Sequence, residues 1–285
     1  MRKSIFDIIK NNRNLYDDYD RLKLLFEDQH AIGIPWAVFP ETDSDYNFCS
    51  IENYIDKKLF KTWVQRTNCI GTYDMKAELD LNCTLSEEEF TEEHFLNFCE
   101  YASNMLFLLD KNENSEDYYT DTVYAAKENL ASSLDWINYE AKYLPKYDCA
   151  IIVPKNETAT SVSEIIEENL ACEVIRYNHH ALKGDVEAKK SILLALATDL
   201  EPKRQQLAKV DKILTDNIFF ILNNLNIRHN NKNKESKHYK EYVAKMKKTT
   251  LEKWYDELYQ MILLAYLELD NISRIKKIET LKEKL

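Results

Sequence analysis

Glycine is nearly absent from this chain. Gly33, Gly71 and Gly184 are the only three in 285 residues, about 1% where roughly 7% is usual. No two lie within thirty residues of each other. A Rossmann fingerprint, a P-loop and a nucleophile elbow each need closely spaced glycines, because backbone must approach phosphate or take a strained turn. Those architectures are excluded. Five prolines beside three glycines also disfavour an all-β sandwich or barrel, which needs many tight turns. The remaining economical solution is a mainly α fold, a multi-helix bundle joined by polar loops.

The chain has the apolar content for a real core, with 45% hydrophobic and 31% charged residues, and the length for one large or two modest domains. Its 18 tyrosines suit half-buried helix faces with a polar tip. No run approaches eighteen uncharged apolar residues, so no membrane span and no membrane partner are expected. The start, Met1 to Asp7, carries an acid at its seventh position and no apolar core, so it does not read as a signal peptide and a cytoplasmic location is expected. Cys49, Cys69, Cys83, Cys99, Cys149 and Cys172 form no close pair. They read as small buried hydrophobes, not zinc ligands or disulfides, and no metal or other cofactor is called for.

The net charge of −11 argues against nucleic acid until the chain is divided. Residues 1–200 carry −17 and residues 201–285 carry +6. The positive excess concentrates between Arg228 and Lys248, with eight basic residues and two acidic ones. Such asymmetry points to a partner for the tail, or to a pairing of the acidic N-terminal half with a basic partner or with the tail itself.

Apolar spacing predicts helices over 5–28, 51–65, 120–143, 188–200, 206–226 and 250–284. It leaves 33–47 as a loop with a short extended piece and 66–84 undecided. Ser86 with Glu89 reads as a capping box opening a helix that runs to about Leu109, before the polar run Lys111 to Asp117. Cys149 to Val153 reads as a strand, 161–169 as a helix and Cys172 to Tyr177 as a second strand. That gives a small central α/β, strand–helix–strand insert with a parallel pair. Three regions are thus expected: a helical region 1–145 of unassigned role, the insert 146–184, and a helical bundle 185–285. No internal repeat is present.

One segment concentrates chemistry. The apolar helix ending at Leu222-Asn223-Asn224-Leu225-Asn226-Ile227 runs into Arg228-His229-Asn230-Asn231, with His238 and Tyr239 across a lysine-rich loop. Here the sequence resembles the HEPN superfamily, helical bundles often found as ribonucleases in prokaryotic toxin and abortive-infection systems. Their motif is an arginine at a helix end, then Asn, His or Asp, then a histidine usually four to six residues on. Arg228 matches the arginine and His229 the polar residue, and His238 stands as the second histidine after a longer gap of nine residues. The resemblance covers about 185–285 and implies a homodimer and a metal-independent endoribonuclease of a phage-defence or toxin system. The chemistry is intelligible from the residues themselves. Cleaving RNA without a metal needs a base at a 2′-hydroxyl, an acid at the leaving oxygen and a cation on the phosphorane, roles open to His229 or His238 and to Arg228. Asn224, Asn230, Asn231, Lys232, Lys234, Lys237 and Lys240, with Lys245 beyond them, are then the expected RNA contacts.

A plainer reading stands beside it. Cations at a helix C-terminus bond its orphan carbonyls and favour its dipole, so the cluster could be a helix-end feature in a non-catalytic binding or regulatory protein. Asn178-His179-His180, with Glu173 and Asp185 nearby, is a weaker metal candidate, and adjacent histidines diverge on any regular element. Asp43-Ser44-Asp45 lacks the glycine and spaced glutamate of a calcium loop. His30 and His94 read as structural, and Trp254, Tyr255, Leu258, Tyr259 and Ile262 as core instead of a base-stacking platform.

Overall fold

The computed structural model describes residues 13–35, 46–66, 68–82, 85–111 and 119–285. The first turns of the expected N-terminal helix, Asp43-Ser44-Asp45, Cys83 and most of the Lys111 to Asp117 run lie outside them. Two compact units divide the chain, Met1–Lys155 and Asn156–Leu285.

The first unit contains helices α1 (Leu15–Glu27), α2 (Ile51–Lys58), α3 (Thr72–Glu78), α4 (Glu92–Lys111) and α5 (Asp121–Trp136), with strands β1 (Ile32–Pro35), β2 (Tyr46–Cys49), β3 (Tyr139–Leu144) and β4 (Cys149–Pro154) in two antiparallel pairs. Ser86 and Glu89 do bond each other, at 2.8 Å through the hydroxyl, but they close a turn and do not cap α4. Thr91 takes that role, its hydroxyl accepting from the His94 N–H, because α4 begins only at Glu92. The expected helix over 120–143 stops at Trp136. Asn138, at φ +63°, turns the chain into β3, whose partner β4 is the strand expected from the Cys149 to Val153 run. The outer edge of β4 is covered from α4: the buried Asn104 amide exchanges two 2.8 Å bonds with the Ala150 backbone, and Glu100 accepts from the Ile152 N–H. An edge strand so answered cannot recruit another chain.

The second unit is entirely helical among the described residues: α6 (Glu157–Ser163), α7 (Glu168–Tyr177), α8 (Val186–Leu200), α9 (Arg204–Val210), α10 (Lys212–Asn224), α11 (Glu241–Ala244) and α12 (Lys248–Lys282), with short 3₁₀ turns between. The expected strand at Cys172 to Tyr177 is therefore the second half of α7, and no parallel pair forms with β4. A six-residue segment with four apolar positions reads alike as a buried strand or a buried helix, and here Cys172, Val174, Ile175 and Tyr177 are all buried in helix. The span 146–184 is shared between the two units. The helix expected over 206–226 breaks at Asp211, whose carboxylate caps α10 by accepting from the Leu214 N–H.

The core of the second unit forms around α12. Tyr255, Tyr259, Ile262 and Tyr266 repeat at helical spacing and are almost wholly buried. Each tyrosine hydroxyl donates to a carbonyl near the end of another helix: Tyr255 to Leu225, Tyr259 to Val174 and Tyr266 to Leu196. Tyr259 also accepts from Asn178 and stacks on Tyr177 at 4.0 Å. Beside it the buried Lys189 bridges Glu252 and Asp256 at 2.9 and 2.8 Å. Removing one hydroxyl leaves the Val174 carbonyl and the Asn178 amide without this partner, so Tyr259→Phe should lower stability by about 1–3 kcal/mol. A shift of the urea midpoint measures it; an unmoved midpoint would show that these bonds add nothing.

No described helix is long and apolar enough to cross a membrane. Cys69, Cys99 and Cys172 are buried, and Cys49 and Cys149 half-buried. Burial pushes the Cys49 thiol up to about 11, against a small opposing pull from Lys57, so this thiol is protonated and inert at neutral pH.

Candidate functional site

The candidate site is set by how α10 ends. Its apolar face (Leu214, Ile218, Phe219, Ile221, Leu222) is buried, and its last carbonyl neighbour, Leu225, accepts from Tyr255. The next residue, Asn226, sits at φ +62°, the left-handed conformation that usually falls to glycine after a helix and is otherwise best tolerated by asparagine. The chain then doubles back, and the Arg228 N–H reaches the Leu222 carbonyl at 3.0 Å.

Asn226 and Asn231 clasp this turn. Each backbone N–H donates to the other's side-chain oxygen, at 2.7 and 3.2 Å. Asn231 is completely buried. Its amide nitrogen donates to the His238 carbonyl at 2.8 Å, and its own carbonyl accepts from the Lys240 N–H. The loop 230–240 is thereby wrapped around one asparagine. Its consequence is chemical: His229 and His238 stack face to face, centroids 3.9 Å apart and planes at 10°. Both rings are partly exposed, and no described residue hydrogen-bonds their nitrogens. Partial burial lowers the His238 pKa, helped by the facing His229 and by Lys237 and Lys240, so this ring is neutral at pH 7 and able to accept a proton.

Arg228 is half in the wall. One terminal nitrogen donates to the Ala197 carbonyl at 3.3 Å and pairs with Glu201, and the guanidinium lies 5.1 Å over the Phe219 ring. The side chain is 19% exposed. Nε and the other terminal nitrogen have no described partner, so the fork retains donors for an anion while its position is held.

The remaining expected contacts separate into two groups. Lys234, Lys237 and Lys240 are exposed and Lys232 partly so, and no described carboxylate pairs with any of the four. Asn230 is exposed and accepts from the Asn233 N–H. Asn224 bonds back to the Phe220 carbonyl. Lys245 pairs with Glu241. Asn231 is corrected: buried and bonded on all sides, it shapes the site and offers no surface to RNA. Sequence reasoning missed Glu201 and Phe219, which hold Arg228, since neither has a local signal. The clasp partner Asn226 was legible only as a polar helix end.

The structure also places the other residues that stood out by type. His179 and His180 follow a helix, not a strand, with rings at 82° to each other. Glu173 pairs with Arg176, and Asp185 caps α8. His94 is buried among Tyr19 and Phe90, and burial lowers its pKa. Tyr255, Leu258, Tyr259 and Ile262 are core as expected, whereas Trp254 is 44% exposed. No protein-family model, curated protein or solved structure matches the chain.

Replacing Asn231 by alanine strands the Asn226 N–H and the His238 carbonyl. Asn231→Ala should cost about 1–3 kcal/mol and unstack the two imidazoles, measured by chemical unfolding and by histidine C2–H resonances. An unchanged midpoint with unchanged resonances would contradict the clasp.

Proposed function

We propose that the protein is a metal-independent endoribonuclease of the HEPN type, acting in a phage-defence or toxin system, with its site at the end of α10. The stacked His229–His238 pair carries this reading: two histidines separated in sequence converge with unclaimed ring nitrogens beside an arginine that is fixed yet still has donors. In the reaction His238 takes the proton of a 2′-hydroxyl and the 2′-oxygen attacks phosphorus. The P–O5′ bond breaks, and His229 protonates the leaving oxygen, giving a 2′,3′-cyclic phosphate and a 5′-hydroxyl. Arg228 faces the phosphorane charge through its remaining donors. Lys232, Lys234, Lys237 and Lys240 draw in the backbone. The resemblance also implies a homodimer, in which two such helix ends act together.

The ion pair between Arg228 and Glu201 favours a second reading, a non-catalytic protein of the same type that binds its partner and turns nothing over. Purified protein incubated with RNA in EDTA separates them. Catalysis predicts that His238→Asn lowers cleavage at least about a hundredfold, the scale of general acid–base work, while Arg228→Lys lowers it less. Because the His238 pKa lies below its ordinary value, the acid limb of the pH–rate profile, where the base becomes protonated, should lie below about pH 6.5. Wild-type protein that leaves RNA intact would contradict the catalytic reading, and the binding reading further predicts a stable complex on pull-down.

A further inference from the structure

We propose that the apolar hollow at the end of α10 holds one unpaired nucleobase of single-stranded RNA, so that a strand bound there is gripped through a base as well as through its phosphates. This rests on the RNA reading above and names the form of substrate it takes.

The hollow encloses about 270 Å³ between the end of α10, α11 and the first turns of α12. Phe220, Tyr242 and Trp254 stand around it, 64%, 76% and 44% exposed. Large rings are normally buried, so three exposed around one concavity indicate a surface kept for a partner. Ile221, Leu225 and Val243, all buried, form its floor. Lys240 stands in its wall, two residues from His238 and bonded through its N–H to the Asn231 carbonyl. The residue that sets the histidine stack thus also fixes the cationic wall of the hollow.

Charge selects the occupant. Over Arg228 to Lys248 eight basic residues face two acidic ones, and four lysines of the loop have no described acidic partner. A second copy seated directly in this hollow would set lysine against lysine with no anion between them. Charge therefore leaves the hollow itself to the strand, which can also run between the paired helix ends of a dimer. An anionic strand with a flat apolar base satisfies both halves of the surface, since bases stack on aromatic rings while lysines track phosphates. A duplex hides its base faces, so the strand must be unpaired.

The test is fluorescence anisotropy of a short labelled single-stranded RNA whose 2′-hydroxyls are methylated, so that no cut can occur, titrated with the whole protein in EDTA. Loss of one ring from such a platform weakens binding roughly 5- to 150-fold, and that is expected of Tyr242→Ala and of Phe220→Ala. Tyr242→Phe, which keeps the ring, should bind as wild type, and the matching duplex should bind with no dependence on Tyr242. Both side chains are exposed, so thermal unfolding of the variants should match wild type. The proposal is overturned if wild type fails to bind the single strand, if the Phe220→Ala, Tyr242→Ala double variant binds as wild type, or if the same variants abolish self-association and not RNA binding. Ring-dependent binding with no cleavage of ordinary RNA overturns the nuclease reading and leaves the hollow standing. Cleavage with ring-independent binding does the reverse.

Discussion

The backbone reversal at Asn226 is the constraint on which the site depends. In a chain with three glycines, an asparagine occupies the left-handed position after α10, and its conformational cost is offset by bonds that few other side chains could make. Asn226 and Asn231 satisfy each other's N–H groups inside the protein, where an unpaired donor would be costly. The polar cluster that follows the helix is thus partly architecture. Asparagines shape the turn, and the histidines and lysines that the turn displays keep their own donors and acceptors.

That turn is anchored to the core by α12. Tyr255 joins Leu225 to the long helix one residue before the reversal, and Tyr259 and Tyr266 tie the same helix to α7 and α8. The Ala197 carbonyl and Glu201, which grip Arg228, belong to the end of α8. Two helix ends held by one central helix therefore meet at the arginine. A site built on helix ends packed this way is held more firmly than one on a free loop, and the same frame sets the hollow between α10 and Trp254.

The mainly α class was readable because glycine and proline scarcity removes the alternatives and the helical periods are long. Short apolar runs were less informative. Cys172 to Tyr177 lacks the length to reveal its period, and its burial within α7 is a tertiary fact. The antiparallel partner of β4 was hidden because Tyr139 to Leu144 continues the apolar pattern of α5, while the break at Asn138 depends on a positive φ. At the site, Arg228, His229 and His238 stood out by residue type, and the stack was not foreseeable. It requires Asn231 to be buried, whereas in sequence Asn231 is one more polar residue beside Asn230. Trp254 and Phe220 likewise sit within helices whose opposite faces are core, so only the packing tells which rings are left outside.

The most direct measurement compares one RNA with its 2′-O-methyl twin, each incubated with the protein in EDTA and the products resolved by end group. The account predicts that only the RNA with free 2′-hydroxyls is cut, leaving 2′,3′-cyclic phosphate ends. Cleavage of both strands, or of neither, would contradict a histidine-driven attack by the 2′-oxygen.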